Sequence, residues 1–337
     1  MTAEPRLRMA LVGCGAIAEM HRYGLERSGA PIDIGATVDL DEGKATAWAE
    51  RFGAMAYTSM DEALASGTFD AVDLLVPHDA HETLAIRCLN AGKHLLLEKP
   101  MAPTLEACES ILAAAESAGV HFMVAENAQY WPEILTVRDL ISEGAIGEPI
   151  TARAAALIPP LPDFYGPDDS WRFDAAASGG GVAIDTGSHW IRPLRMWFGE
   201  VEEITGAIGH PYARMASESL VRALLRFDSG LVASLDLVLA DTRFAPDPLF
   251  RVTGTAGELL VEADGTVRIN AKGRRMEQVG EAGGYLESYG GAFSDFASAV
   301  LDGTTPAASA AYALGELRCA LALYRSAETG SWEKVWA

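Results

Sequence analysis

Four clusters of residues have types and spacings that suit chemistry. Leu11-Val12-Gly13-Cys14-Gly15-Ala16-Ile17-Ala18 joins an apolar run to a helical pattern through a glycine turn. In such a turn the first glycine allows the tight bend, and the second lets a pyrophosphate approach the backbone. A small residue at the third position lets the helix pack on its strand, and the first amides of that helix then face the phosphates. Asp39 ends the next strand-like run, Ile32–Val38, where an acid accepts hydrogen bonds from a ribose diol and repels a 2′-phosphate. An Asp there also suits a plain cap for the helix that follows. Glu98-Lys99-Pro100 follows a buried strand, and an ammonium there can hydrogen-bond a substrate oxygen. Asp185 and His189 lie four apart after Gly179-Gly180-Gly181, so a helix over 182–197 would put them one turn apart on one face, an arrangement for proton transfer. The same pair equally suits a helix-start acid and a core histidine. Trp171-Arg172 precedes the glycine triplet. Tyr130, Tyr165, Arg153 and Arg172 are candidate substrate contacts, able to stack on or hold a polyol. No spacing completes a metal site.

The elements that must carry these residues follow from periodicity. Strand-like and helix-like runs alternate up to Val120–Ala125, which predicts a doubly wound parallel sheet of α/β type, a Rossmann domain over 1–126. Ligands of such a sheet bind beyond the carboxyl ends of its strands, where Gly13, Asp39, Pro77, Lys99 and Asn127 all fall. Residues 127–337 read as a second α/β domain. It has an irregular stretch from Pro159 to Asp169, then strand-like runs from Val201 to about Val279 with hairpin turns at Asp228-Ser229-Gly230 and Asp264-Gly265, then two closing helices. The sheet is expected to be large, mostly antiparallel and open on one face. Leu231 to Leu239 alternates leucines with smaller or polar residues, and a partner subunit is the expected cover, giving a homodimer or homotetramer.

The 337 residues carry 26 Lys and Arg against 47 Asp and Glu, a net charge of −21 that opposes nucleic acid and acidic membranes. Four scattered cysteines, Cys14, Cys88, Cys108 and Cys319, lack metal or disulfide spacing and fit a reducing compartment. With neither a signal peptide nor a transmembrane run read in the sequence, a cytoplasmic protein is expected.

Taken together, these motifs resemble the Gfo/Idh/MocA family of NAD(P)-dependent oxidoreductases, which includes glucose–fructose oxidoreductase and inositol dehydrogenase. The resemblance rests on Val12 to Ala18, Val38-Asp39-Leu40-Asp41, Pro77 with His81, Ala91-Gly92-Lys93-His94, Glu98-Lys99-Pro100, Glu143 to Gly147, and Ser170-Trp171-Arg172 through the glycine triplet to Asp185 and His189. It covers nearly the whole chain. It implies that Lys99 is catalytic, with Asp185 and His189 completing the proton machinery and contacting substrate. It places Gly13, Gly15, Ala16, Ile17, Ala18, Asp39, Leu40, Pro77, His78, His81, Glu98, Lys99, Asn127, Trp171 and Arg172 at the cofactor, with NAD favoured over NADP by Asp39. Two departures stand out. His78 replaces the Asn of many relatives, as a cofactor or substrate contact or only a helix cap, and Gln129 lies where an Arg is frequent. The implied activity is hydride transfer between nicotinamide and a secondary alcohol of a sugar, cyclic polyol or glycoside. The alternatives are a redox-neutral sugar-modifying enzyme that retains its NAD and an NAD-dependent sugar sensor. Retention of Lys99, Asp185 and His189 argues against the sensor.

Overall fold

The computed structural model describes residues 5–166, 170–273, 275–280 and 283–337; the end of the expected irregular stretch, 167–169, lies outside them. The chain divides into two compact units, one holding the chain up to Glu126 together with Leu286–Leu314, the other Asn127–Tyr285 with Gly315–Ala337. The expected boundary put everything after residue 126 into the second domain. The segment 286–314 instead packs with the first unit, because the rings of Tyr289 and Phe293 lie 4.9 and 5.6 Å from the His21 ring and the Tyr23 hydroxyl donates to Glu287 at 2.9 Å.

In the first unit β1 (Leu7–Val12), α1 (Ala16–Ser28), β2 (Ile32–Val38), α2 (Glu42–Phe52), β3 (Met55–Tyr57), α3 (Met60–Ser66), β4 (Ala71–Leu74), α4 (His81–Asn90), β5 (His94–Glu98), α5 (Leu105–Ala118) and β6 (Phe122–Ala125) alternate. Among the described residues the strands form one sheet in the order β3-β2-β1-β4-β5-β6, with every pair parallel. Helices cover both faces of such a sheet, which is why β4 and β5 read as apolar runs without alternation. Asp41 caps α2 by accepting from the amides of Gly43 and Lys44 at 2.8 and 3.1 Å, and Thr104 caps α5 through the Ala107 amide.

The second unit holds α6 (Pro132–Ser142), β7 (Pro149–Ile158), α7 (Pro162–Tyr165), α8 (Ala175–Ser178), α9 (Gly187–Phe198), β8 (Val201–Gly209), β9 (Leu220–Phe227), β10 (Val232–Leu239), β11 (Phe250–Gly254), β12 (Gly257–Val261), β13 (Val267–Ala271) and β14 (Glu277–Gly280). The chain then runs through α10 (Tyr285–Asp302), α11 (Leu314–Thr329) and β15 (Glu333–Lys334). Among the described residues its sheet has nine strands in the order β14-β13-β12-β11-β7-β10-β9-β8-β15, antiparallel except for the central β7–β10 pair. Leu235 and Leu237 point to the face that α9 covers, and a Cβ on Gly187 of α9 would lie 3.2 Å from Leu237. The opposite face carries ion pairs, among them Arg153 with Asp236 and Asp247, Arg226 with Glu203, and Arg251 with Glu258.

Candidate active site

The glycine turn is shaped from within at one position and from outside at another. Gly13 has φ +94°, its amide donates to the Val38 carbonyl at 2.8 Å, and a Cβ there would sit 2.3 Å from the Leu75 carbonyl oxygen. Gly15 is different. Its backbone is extended, and a Cβ would meet nothing within 4 Å. Internal packing does not demand glycine at 15; the open space above it is what a phosphate needs. No side chain caps α1, so the amides that open it at Ala16 and Ile17 remain suited to an anion, while Ala18 is fully buried against the strand. Burial, followed by Asp39, pushes the Cys14 thiol up to about 12, so this loop carries no thiolate to repel phosphate.

Asp39 does not cap α2, a task taken by Asp41. Its Oδ2 accepts from the Cys14 amide at 2.8 Å and its Oδ1 from the Asp41 amide at 2.9 Å. The carboxylate is thus locked beside the glycine turn, with lone pairs left for a diol. Leu40 beside it is 94% exposed. These features fit a dinucleotide. Gly13→Ala is expected to cost about 2 kcal/mol or more, because Ala is strained at this φ and collides with Leu75. A urea melt measures this, and a loss under about 0.5 kcal/mol would remove the steric account of the turn.

At the neighbouring strand ends, Pro77 leads into a 3-10 turn, His78–Ala80. His78 is buried and its ring lies 5.6 Å from that of His81. His81 faces the Val76 carbonyl with Nε2 at 3.0 Å and the Pro100 carbonyl with Nδ1 at 2.9 Å, and burial lowers its pKa. It thereby ties the turn after β4 to the turn after β5. Glu98 is buried and its carboxylate faces His21, with Oε1 3.1 Å from Nε2. Lys99 follows at the end of β5, and the Lys99–Pro100 peptide is cis.

In the second unit the structure gathers Tyr165, Arg172 and Asp185. The Tyr165 hydroxyl donates to Asp185 Oδ2 at 3.2 Å and Arg172 Nε to the same oxygen at 3.3 Å. Arg172 stacks over the rings of Trp171 at 4.3 Å and Phe164 at 5.0 Å. Burial, reinforced by Asp185, raises the Tyr165 pKa, so the group stays a phenol. His189 lies in the first turn of α9, with the rings of Tyr285 and Trp131 at 5.9 and 6.2 Å. Tyr130 ends the 3-10 turn Asn127–Tyr130 just before Trp131, and the buried Asn127 donates to the Tyr285 carbonyl at 3.4 Å. Gln129 accepts from the buried guanidinium of Arg192 at 3.1 Å, which accounts for an amide at that place.

Two sequence expectations change here. The helix was expected over 182–197 with Asp185 and His189 on one face. It begins at Gly187, and Asp185 lies in the preceding turn, closed by bonds from Asp185 N to Gly181 O at 3.0 Å and Gly187 N to Val182 O at 2.7 Å. The reason is Glu218, which sequence reasoning missed. Its buried carboxylate accepts from the amides of Gly181 at 3.0 Å and Ala183 at 2.9 Å and from the Tyr324 hydroxyl at 2.9 Å, holding the loop out of helix. A Cβ on Gly181 would fall 1.8 Å from the Glu218 carbonyl oxygen, so the triplet is needed for close approach. Arg153 does not join the Asp185 group. It pairs across β7 and β10 with Ser234, on the face opposite the Leu237 side that α9 covers, and is held by Asp236 and Asp247.

Residues 7–126 match the Gfo/Idh/MocA oxidoreductase family with its NAD-binding Rossmann fold, and residues 134–260 match the Gfo/Idh/MocA C-terminal domain. The chain is a Gfo/Idh/MocA oxidoreductase. This oxidoreductase is 30% identical over 334 residues to 1,5-anhydro-D-fructose reductase of Ensifer adhaerens, covering 96% of this chain and 97% of the relative. It is 29% identical over 276 residues to D-apiose dehydrogenase of Paraburkholderia graminis, covering 80% and 71%. Its structure superposes on that of GenD2 from gentamicin A biosynthesis, in complex with NAD, with a TM-score of 0.83 and 26% identity over 99% and 97% of the two chains. Among the described residues no helix is long and apolar enough to cross a membrane, and no group of three or more His, Cys, Asp or Glu is placed to hold a metal ion.

Proposed function

We propose that this oxidoreductase moves a hydride between NAD and a secondary alcohol of a sugar, cyclic polyol or glycoside. The observation that carries the reading is Asp185, held by Tyr165 and Arg172 in a turn that leads directly to His189. The sugar chemistry in the names of the reductase and dehydrogenase relatives supports it. Gly13 to Ala18 bind the pyrophosphate, and Asp39 takes the ribose diol. The bound cofactor supplies the hydride acceptor at its nicotinamide. His189 takes the hydroxyl proton, Lys99 hydrogen-bonds the same oxygen and stabilises its developing negative charge, and Asp185 accepts from a neighbouring hydroxyl. Trp171, Arg172, Tyr130 and Tyr165 hold the polyol. Two copies pair through the ion-paired open face of the second sheet, and sedimentation velocity reading a monomer would refute that pairing.

The test is NADH formation, followed by absorbance, with NAD⁺ or NADP⁺ and a panel of inositols, aldoses, deoxysugars and glycosides. NADH with a ring polyol supports the reading. No NADH with any of them, but NAD released on denaturation, points instead to a redox-neutral cycle. Asp39→Ala is expected to weaken NAD binding about 10- to 100-fold through lost charge-assisted hydrogen bonds, and to reduce discrimination against NADP. Titration with each cofactor reads this out, and an unchanged preference removes the ribose role of Asp39.

A further inference from the structure

His21 on α1 is 1% exposed and lies between two buried acids. Its Nδ1 is 3.1 and 3.0 Å from the two oxygens of Asp73, and its Nε2 is 3.1 Å from Glu98 Oε1. Asp73 on β4 is the register partner of Leu96 on β5, so Asp73 and Glu98 project from the same face of the sheet, toward α1. A neutral imidazole has one N–H and one lone pair, and that lone pair would face a carboxylate. Burial raises the Asp73 pKa and the facing His21 opposes that rise; with Asp73 and Glu98 both as carboxylates, only the imidazolium satisfies both sides. Burial by itself lowers the His21 pKa, but Asp73 and then Glu98 outweigh it and raise the value to about 10. Among the described residues, Asp73 and Glu98 are the charged groups that act on the ring. From α10 come Tyr289, tilted at 4.9 Å, and Phe293, edge-on at 5.6 Å. His81, which also feels Glu98, directs its nitrogens at backbone carbonyls, and burial lowers its pKa.

We infer that His21 is a positioning residue for the reaction: it ties the cofactor-binding helix α1 to the end of β5 and holds Glu98, the residue before Lys99, in a cluster of one net negative charge. Two carboxylates and one cation give that charge, and Glu98 is the residue immediately before Lys99. A negative cluster held one residue from Lys99 would favour an ammonium there, the form that can donate to a substrate oxygen. The inference rests on the reading of Lys99 as a proton-handling group. It also has a stability signature. The folded value of about 10 exceeds the ordinary 6.5, so the stabilisation is complete below about pH 6.5 and is lost as pH rises through 10.

The first measurement is nitrogen NMR of imidazole-labelled wild-type protein between pH 6 and 9, with His21→Gln identifying the resonance. Both ring nitrogens at imidazolium shifts up to pH 9 are expected, and a neutral tautomer at pH 7 overturns the inference. The second is the pH profile of kcat in Asp73→Asn, which keeps an acceptor for Nδ1 but removes the net charge. The limb set by Lys99 is expected to move down by about one pH unit, the scale of one partly screened charge, with NAD affinity unchanged. A merely structural role would lower Tm and leave the limb in place, and that result also overturns the inference. The NMR arm needs no folded variant at Asp73. Turnover kept by Lys99→Ala refutes the reading of Lys99, and the positioning role with it; a large Lys99 effect with an unmoved limb refutes the positioning role alone.

Discussion

Lys99→Ala is expected to lower turnover by about 10²- to 10⁴-fold while still binding NAD. A loss in the middle of that range corresponds to about 4 kcal/mol of transition-state stabilisation. The two halves of the expectation have separate causes. The groups proposed to hold the dinucleotide are the turn at Gly13–Gly15, the start of α1 and the carboxylate of Asp39, locked by the amides of Cys14 and Asp41. None of these bonds involves Lys99. The ammonium is required most when charge develops on the substrate oxygen, so its removal falls on kcat far more than on cofactor affinity. Stopped-flow turnover and a fluorescence titration with NADH separate the two. Turnover within a few-fold of wild type would remove Lys99 from the mechanism.

The second large effect belongs to stability. Glu316→Gln is expected to cost about 3–5 kcal/mol, read by urea or thermal unfolding. Arg192 and Arg195 on α9 are 1% and 2% exposed. Glu316 on α11 accepts from Arg192 Nε at 2.8 Å and Nη2 at 3.0 Å, and also from Arg195 Nη1. Glu200 takes Arg195 Nε and Nη2 at 2.8 and 2.6 Å, and Gln129 accepts from Arg192 Nη1 at 3.1 Å. These contacts set two cations, Arg192 and Arg195, against two anions, Glu316 and Glu200. Neutralising Glu316 removes the carboxylate charge that both buried guanidiniums share, and weakening the pairing of buried charges is what makes such a change expensive. Because α9 carries His189, the same variant tests whether this cluster holds the site: loss of turnover at a temperature where the protein remains folded is expected. A cost below about 1 kcal/mol would show that water relieves the charges.

The glycine turn, α1, β2 and α2 are all legible in the chain, because each is written in local signals: an apolar run, a glycine with positive φ, a helical period and the Asp41 cap. Family resemblance adds Lys99, Asp185 and His189. Two strands that periodicity does not reveal, Met55–Tyr57 and Glu333–Lys334, lie at sheet edges. They are short and take their order from the neighbouring strand, so they have no pattern of their own.

Contacts between distant residues decided the rest. Glu218 reaches back 37 residues to hold Gly181 and delay α9, so Asp185 is presented by a turn. Arg153 faces away from α9 because side chains alternate along β7, and only the pairing with β10 shows which face α9 covers. The segment after Tyr285 returns to the first unit through Tyr289 and Phe293 against His21. His21 itself reads as an ordinary helix residue until Asp73 and Glu98, 52 and 77 positions away, close on its two nitrogens. Propensity, capping and periodicity act over a few residues and are visible in any window of the chain. Burial and charge pairing act through space, and they exist only once the chain has folded.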